Sequence, residues 1–371
     1  MNTIHQLQGL GQSIWLDNIQ RNMLNSGELQ RLIVEDGVTG VTSNPTIFEK
    51  AIGGSNDYDS ALADLQAKNP DSTSEQLFFD LAIEDIQAAA DLLRPVYESS
   101  NARDGMVSLE VSPTLAYDAE ATFKEGMSLW QRVNRPNLMI KVPSTREGLV
   151  AIEKLTAEGI NVNATLLFSL DRYCSVAEAF LLGLEERLRS GQPINRIESV
   201  ASFFVSRVDA VIDGQLKGKA DNLIGKAAIA NAKLAYEHYM GIFTSERFIK
   251  LRESGASTQR LLWASTGTKN PDLSDVLYVD SLIGAETVNT LPPATLTAFM
   301  DHGNPQETLA MGFDEARQIM SQVADVGVNV DAVTTELEQQ GVESFSGSFT
   351  SLLEVIEGKL RAIDSSSKAH G

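Results

Sequence analysis

The chain has 371 residues, 43% of them hydrophobic, enough to bury one elaborated core or two ordinary ones. Thirty Lys plus Arg stand against fifty Asp plus Glu, and the net charge of −20 opposes non-specific binding to nucleic acid or anionic membrane, so an anionic substrate needs a local basic pocket. With Cys174 as the only cysteine there is no disulfide framework and no multi-cysteine zinc site, while Met1 to His5 opens no signal peptide and runs such as Ala179-Phe180-Leu181-Leu182 are too short to span a bilayer; a soluble, cytoplasmic protein is expected.

In chain order, β-rich apolar runs recur at Ser13 to Asp17, Val38 to Ser43, Met106 to Val111, Leu138 to Val142, Ile160 to Phe168, Val200 to Val205, Leu261 to Ser265 and Tyr278 to Ile283. Segments of helical period separate most of them: Glu28 to Glu35, Asp118 to Val133, Arg146 to Glu158, Ser169 to Arg189 and Ala228 to Glu253. Strand and helix in alternation imply a parallel sheet. Nearly continuous apolar strands imply that both faces are covered, and eight units suit a (β/α)8 TIM barrel of the α/β class. Ser144 is expected to cap the helix opening near Thr145, with Glu147 at the third position and Gly159 at its end; Asp118 and Ser169 suit other helix starts.

Two helical stretches exceed what a plain barrel requires. One lies between residues 45 and 105, where Asn56 to Ala67 and Ser74 to Tyr97 read as helices, and the other between 294 and 363. No low-complexity linker sets either apart, so both are expected to be extensions of one domain spanning residues 1–371. The serine-rich tail Asp364 to Gly371 is expected to fray.

In such barrels catalytic groups gather at the C-terminal ends of the strands. Here those ends are polar in turn: Asp17, Asn44, Glu110, Lys141, Asn163 with Thr165, Ser202 with Arg207 just beyond, and Ser265 with Lys269 in the next loop. Lys141 closes the apolar run Asn137-Leu138-Met139-Ile140-Lys141-Val142-Pro143. Desolvation there favours the neutral amine and makes it a nucleophile toward a carbonyl carbon; the competing reading is a lysine whose stem covers apolar surface while its head reaches water. Asp17 and Glu110 interrupt apolar runs, and carboxylates are rarely buried unless paired or functional. Asn44, before Pro45, reads equally as a turn former, and Thr165 by itself reads as a packed strand residue.

Four stretches carry a resemblance: Gly37-Val38-Thr39-Gly40-Val41-Thr42-Ser43-Asn44-Pro45-Thr46, Val107-Ser108-Leu109-Glu110-Val111, Asn137 to Thr145, and Ile160-Asn161-Val162-Asn163-Ala164-Thr165-Leu166-Leu167-Phe168-Ser169. With them the chain resembles the transaldolases, class I aldolase relatives that use neither metal nor organic cofactor. The resemblance implies that Lys141 forms a Schiff base with a ketose phosphate, that Asp17 is the acid/base, and that Glu110 with Thr165 positions a catalytic water. A dihydroxyacetone unit would pass from sedoheptulose 7-phosphate to glyceraldehyde 3-phosphate, giving erythrose 4-phosphate and fructose 6-phosphate, in the non-oxidative pentose phosphate pathway. Asn44 and Asn163 would bond sugar hydroxyls, Ser202 would lie near the Schiff base, and Arg207 and Ser265 would bind phosphate. Many family members carry a second arginine shortly after that serine. This chain reads Ser265-Thr266-Gly267-Thr268-Lys269, so Lys269 would keep the charge and lose the guanidinium fork. Sugar phosphates are the expected partners, with no nucleic acid or membrane, and the protein is expected to be a monomer or homodimer.

Rival readings are a related aldolase that releases the three-carbon unit by protonation or prefers another ketose, and a non-catalytic sugar-phosphate-binding barrel, which would be expected to lack Lys141, Asp17 or Glu110. Other signals are discounted. The glycosylation pattern Asn163-Ala164-Thr165 falls on an expected buried strand, and His5, His238, His302 and His370 lack ligand spacing. Cys174 reads as packing, and Gly9-Leu10-Gly11 precedes a strand where a dinucleotide loop would follow one.

Overall fold

The computed structural model describes the backbone of residues 2–369 and the side chains of residues 2–363. Eight parallel strands close a barrel in sequence order: β1 Gln12–Leu16, β2 Gly40–Val41, β3 Met106–Glu110, β4 Leu138–Pro143, β5 Val162–Leu167, β6 Ser199–Phe204, β7 Arg260–Ala264 and β8 Thr287–Leu291. Every strand is buried on both faces, which is why the runs read as continuously apolar. Helices between the strands form the outer layer, and none among the described residues is long and apolar enough to cross a membrane.

The eighth strand is not where the apolar run predicts it. Residues Leu277–Ser281 form a short helix, and β8 lies further on, at Thr287–Leu291. Tyr278, Val279, Leu282 and Ile283 are apolar because they are buried outside the barrel wall. The true strand carries Thr287, Asn289 and Thr290, buried polar side chains that hide it from a hydrophobicity reading; Thr266 Oγ1 donates to Asn289 Oδ1 at 3.1 Å.

Helix punctuation follows local chemistry. Asp118 and Ser169 cap the helices Ala119–Val133 and Leu170–Arg189, as expected. The helix Arg146–Ala157 is capped by Thr145, whose Oγ1 accepts from Gly148 N at 3.0 Å; Ser144, the expected cap, instead donates to the Thr165 carbonyl at 2.6 Å. Gly159 follows that helix with φ +83°, a left-handed conformation that glycine adopts freely. The segment read as one helix from Ala228 to Glu253 is two, Ala227–Phe243 and Glu246–Glu253, because Ser245 starts the second by capping Phe248 N.

The extra helices are Pro45–Gly53, Asp59–Lys68 and Ser74–Ser99 after β2, and Pro293–His302, Phe313–Asp325 and Val330–Ala369 after β8. The last is 40 residues long. It packs on Pro45–Gly53, on the turn Pro113–Leu115, on β5 and on the helix Ser206–Leu216, so it crosses the mouth formed by the C-terminal strand ends. The side chains of the tail, and His370, lie outside the described residues.

Candidate active site

Register aligns the central groups. Glu110 on β3 pairs with Lys141 on β4, Lys141 with Asn163 on β5, and Pro143 with Thr165. Alternation along parallel strands then directs these side chains to the interior, where Glu110, Lys141, Asn163 and Thr165 are all buried. Lys141 Nζ donates to the Ser43 carbonyl at 3.0 Å and lies 3.2 Å from Glu110 Oε2. Neither Glu110 oxygen, nor Thr165 Oγ1, has a hydrogen-bond partner among the described residues. Burial raises the Glu110 carboxyl above its ordinary value, against the pull of Lys141, and the negative charge of Asp17 adds to the rise.

Asp17 follows β1 directly, and its N–H donates to the Leu291 carbonyl at 2.8 Å, extending the β1–β8 ladder. Its Oδ1 accepts from Thr42 Oγ1 at 2.7 Å, and Thr42 in turn meets Thr290 Oγ1 at 2.6 Å. Burial raises this carboxyl too, opposed by Lys141, by the Thr42 hydrogen bond and by Arg207. A carboxyl held above its usual range binds and releases a proton closer to neutrality, as general acid/base work requires.

These groups open into a cavity of about 440 Å³ lined by Asp17, Thr42, Asn44, Lys50, Lys141, Thr165, Ser202, Phe204, Arg207, Ser265, Thr268, Lys269, Thr290 and Phe345, among others. An adjoining space of about 430 Å³ shares Asp17, Asn44, Lys50, Arg207 and Phe345 and continues past Asn18, Gln20 and Thr46. Four cations and one carboxylate line the main cavity, in a chain whose net charge is −20. Burial lowers Arg207, with Asp17 acting against it; Lys269 is lowered by burial and then by the charge of Arg207, which places two mutually repelling cations at one end. Neither forms an ion pair or hydrogen bond with another described residue, although the Arg207 guanidinium lies over the Phe204 ring at 5.0 Å and the Phe345 ring at 5.9 Å. Such a pair is suited to a multiply charged anion.

The remaining expected residues divide by what they touch. Ser265 directly follows β7 in a left-handed conformation (φ +55°) and meets Ser206 Oγ at 3.0 Å, with its side chain on the cavity wall. Asn44 caps Pro45–Gly53 by accepting from Ile47 N at 3.0 Å, so it is both helix cap and wall. Asn163 is not on the wall. Its Nδ2 donates to Ser108 Oγ at 2.9 Å and its Oδ1 accepts from Ser202 Oγ at 2.6 Å, a buried chain across β3, β5 and β6. Through this chain Asn163 braces Ser202, which does line the cavity.

Sequence reading missed Thr42, Lys50, Phe204, Thr290 and Phe345. Thr42 carried a signal, a polar residue immediately after β2 within the expected strand run Val38 to Ser43. Lys50 carried a weaker one, being a cation on the helix that follows that strand. Phe345 carried none, since it comes from the C-terminal helix. A second cleft, about 520 Å³, lies beside Ser169, Asp171, Asn329 and Asp331; among the described residues the two aspartates are the charged side chains that line it, with no cation beside them.

Comparison with known proteins agrees with the geometry. A family model described as Transaldolase/Fructose-6-phosphate aldolase matches residues 14–356. A transaldolase of Thermobifida fusca is 48% identical over 364 residues, covering 97% of this chain and 98% of its own length. One from Thiobacillus denitrificans is 48% identical over 360 residues, 96% of this chain and 100% of its own. The protein named Transaldolase 2 of Nostoc sp. (strain PCC 7120) is 46% identical over 379 aligned positions, 98% of this chain and 99% of its own.

Proposed function

This chain belongs to the transaldolase/fructose-6-phosphate aldolase family, and we propose that it is a transaldolase that carries a dihydroxyacetone unit between sugar phosphates as a Schiff base on Lys141. The observation that carries the reading is the buried Lys141 amine, 3.2 Å from Glu110, on the wall of a cavity that also presents Asp17 and two cations, Arg207 and Lys269, that have no ion partner among the described residues.

Lys141 attacks the ketone carbon of the donor. The nucleophile must be neutral, and a carboxyl whose proton affinity is raised by burial takes the ammonium proton at lower cost than an ordinary one. Glu110, relaying through a water shared with Thr165, then assists loss of the carbinolamine hydroxyl as water. In the iminium, nitrogen draws electrons from the C3–C4 bond once Asp17 removes the C4 hydroxyl proton; the first aldehyde leaves and the three-carbon unit remains as an enamine. The enamine attacks the carbonyl carbon of a second aldehyde, Asp17 returns a proton to the new alkoxide, and hydrolysis frees the product and Lys141. Arg207, Ser265 and Lys269 hold the phosphate, while Asn44 and Ser202 face the sugar. The donor and acceptor are sedoheptulose 7-phosphate and glyceraldehyde 3-phosphate, giving erythrose 4-phosphate and fructose 6-phosphate in the non-oxidative pentose phosphate pathway. The reading includes a cytoplasmic setting and one catalytic unit spanning the chain.

Borohydride reduction with fructose 6-phosphate, followed by peptide mapping, tests it: the adduct is expected on Lys141. No adduct, or one on another lysine, overturns the mechanism. Addition of erythrose 4-phosphate is expected to yield sedoheptulose 7-phosphate; release of dihydroxyacetone alone would make the protein an aldolase.

A further inference from the structure

The C-terminal helix places one large apolar side chain in the cavity. Phe345 is 3% exposed, and its ring centroid lies 5.6 Å from Lys141 Nζ and 5.9 Å from the Arg207 guanidinium. It therefore covers the span between the amine and one of the cations at the anion end. The helix that carries it is anchored before and after it. Four residues earlier, Gly341 backs onto Leu166, the neighbour of Thr165, so closely that an added Cβ would come within 3.0 Å of the Leu166 side chain. One turn later, Phe349 packs edge-on to Phe78 with centroids 5.5 Å apart, and Ser348 accepts from Thr46 Oγ1 at 2.8 Å. Further along, Lys359 Nζ donates to Asp59 Oδ1 at 2.6 Å and to the Ser55 carbonyl at 2.8 Å. The helix is thus tied to β5 and to the helices after β2 on either side of Phe345.

We propose that Phe345 is a specificity-determining residue that keeps the covalent three-carbon intermediate from solvent and so decides between transfer and release. The inference rests on the Schiff-base reading above. The enamine has two fates. Carbon–carbon bond formation with an acceptor aldehyde gives transfer. Alternatively, its nucleophilic carbon takes a proton from water, forming a C–H bond and regenerating the iminium; water then adds to the iminium carbon, the C–N bond breaks with its electron pair going to nitrogen, and dihydroxyacetone leaves. The net consumption is one water, which supplies the carbonyl oxygen, the carbon-bound hydrogen and the amine hydrogen. An apolar ring over the amine lowers the local density of water able to protonate the enamine, while Glu110 and Thr165, on the strands beneath, still serve iminium hydrolysis after transfer.

The test is the ratio of dihydroxyacetone released to sedoheptulose 7-phosphate formed from fructose 6-phosphate and erythrose 4-phosphate. For Phe345→Ala the ratio is expected to rise about tenfold, with the adduct on Lys141 still trapped by borohydride, and Phe345→Leu, which restores apolar cover, to bring most of it back. A general structural defect lowers both products together and leaves the ratio in place. If far-UV circular dichroism shows that the Ala variant does not fold, Phe345→Gln decides by the same ratio, since it keeps the stem and puts a polar end over the amine. An unchanged ratio in a folded Ala or Gln variant, with the parent competent in transfer, overturns this inference alone; a parent that forms no adduct overturns it together with the Schiff-base reading.

Discussion

The floor and the mouth of the barrel both bury charged side chains, and they treat them oppositely. At the floor, where the strands begin, Arg103 reaches Glu198 at 2.7 Å and Glu286 at 2.5 Å and also bonds Thr258, while Arg260 donates to Ser13 Oγ and to the Arg103 carbonyl. Asp104 accepts from Ser13 Oγ at 2.5 Å and from Trp15 Nε1 at 2.7 Å. At the mouth, Glu110 meets only Lys141, Asp17 is held by one threonine, and Arg207 and Lys269 have no ion partner among the described residues. At the floor the charged groups are paired or hydrogen-bonded to one another, so removing one strands its partner. Unmatched charge at the mouth is destabilising by itself, and such groups are the ones left available to a substrate.

If that contrast holds, activity and stability separate between the two ends. The largest effect is expected at the mouth: Asp17→Asn lowers turnover by roughly two to four orders of magnitude, while borohydride still traps an adduct and the thermal midpoint is no lower than the parent's. Loss of adduct in proportion to turnover would assign Asp17 a structural role. At the floor the pattern inverts. Arg103→Met leaves buried Glu198 unpaired and is expected to lower stability by about 3 kcal/mol in urea unfolding, with kcat/KM per folded molecule unchanged. A comparable loss of kcat/KM in folded protein would break the division.

A smaller change refines the anion end. Lys269→Arg restores a fork beside Arg207 and is expected to lower KM for phosphorylated aldehydes by roughly two- to tenfold with little change in kcat, measured against an unphosphorylated aldehyde as control. A separate, pH-dependent effect concerns a mouth-side carboxyl that does have partners. Asp209 accepts from Ala228 N at 2.7 Å and from Tyr278 OH at 2.9 Å, yet burial pushes it from the ordinary 3.8 up to about 7. The folded chain then keeps a proton that the unfolded chain has released, so stability falls as the pH rises between those two values and stays low above them. Asp209→Asn is expected to flatten this slope, which urea midpoints at acid and neutral pH would reveal; an equal slope in the variant would move its origin elsewhere.

Much of this was legible in the residues. Seven of the eight strands, the caps Asp118 and Ser169, and the extra helices follow from periodicity and local hydrogen-bond chemistry. Strand β8 was not, because Thr287, Asn289 and Thr290 are polar yet buried, and the more apolar Tyr278 to Ile283 took its place in a hydrophobicity reading. In the site, Asp17, Glu110, Lys141, Thr165 and Arg207 were readable as polar groups at or near successive strand ends. Asn163 was readable too, but its amide is engaged by Ser108 and Ser202, a pairing across three strands that no local pattern contains.

Local pattern in the chain set the alternation of strand and helix, and with it which side chains gather at one end of a barrel, since strand period and parallel pairing fix which groups face the interior. Tertiary structure alone decided which of those groups are satisfied, and it brought Phe345 from the C-terminal helix to within 6 Å of Lys141 and Arg207. The physical reason is separation along the chain. Periodicity reports neighbours a few residues apart, whereas the environment of the amine is set by contacts between segments hundreds of residues apart, which exist only once the barrel has closed and its last helix has crossed the mouth.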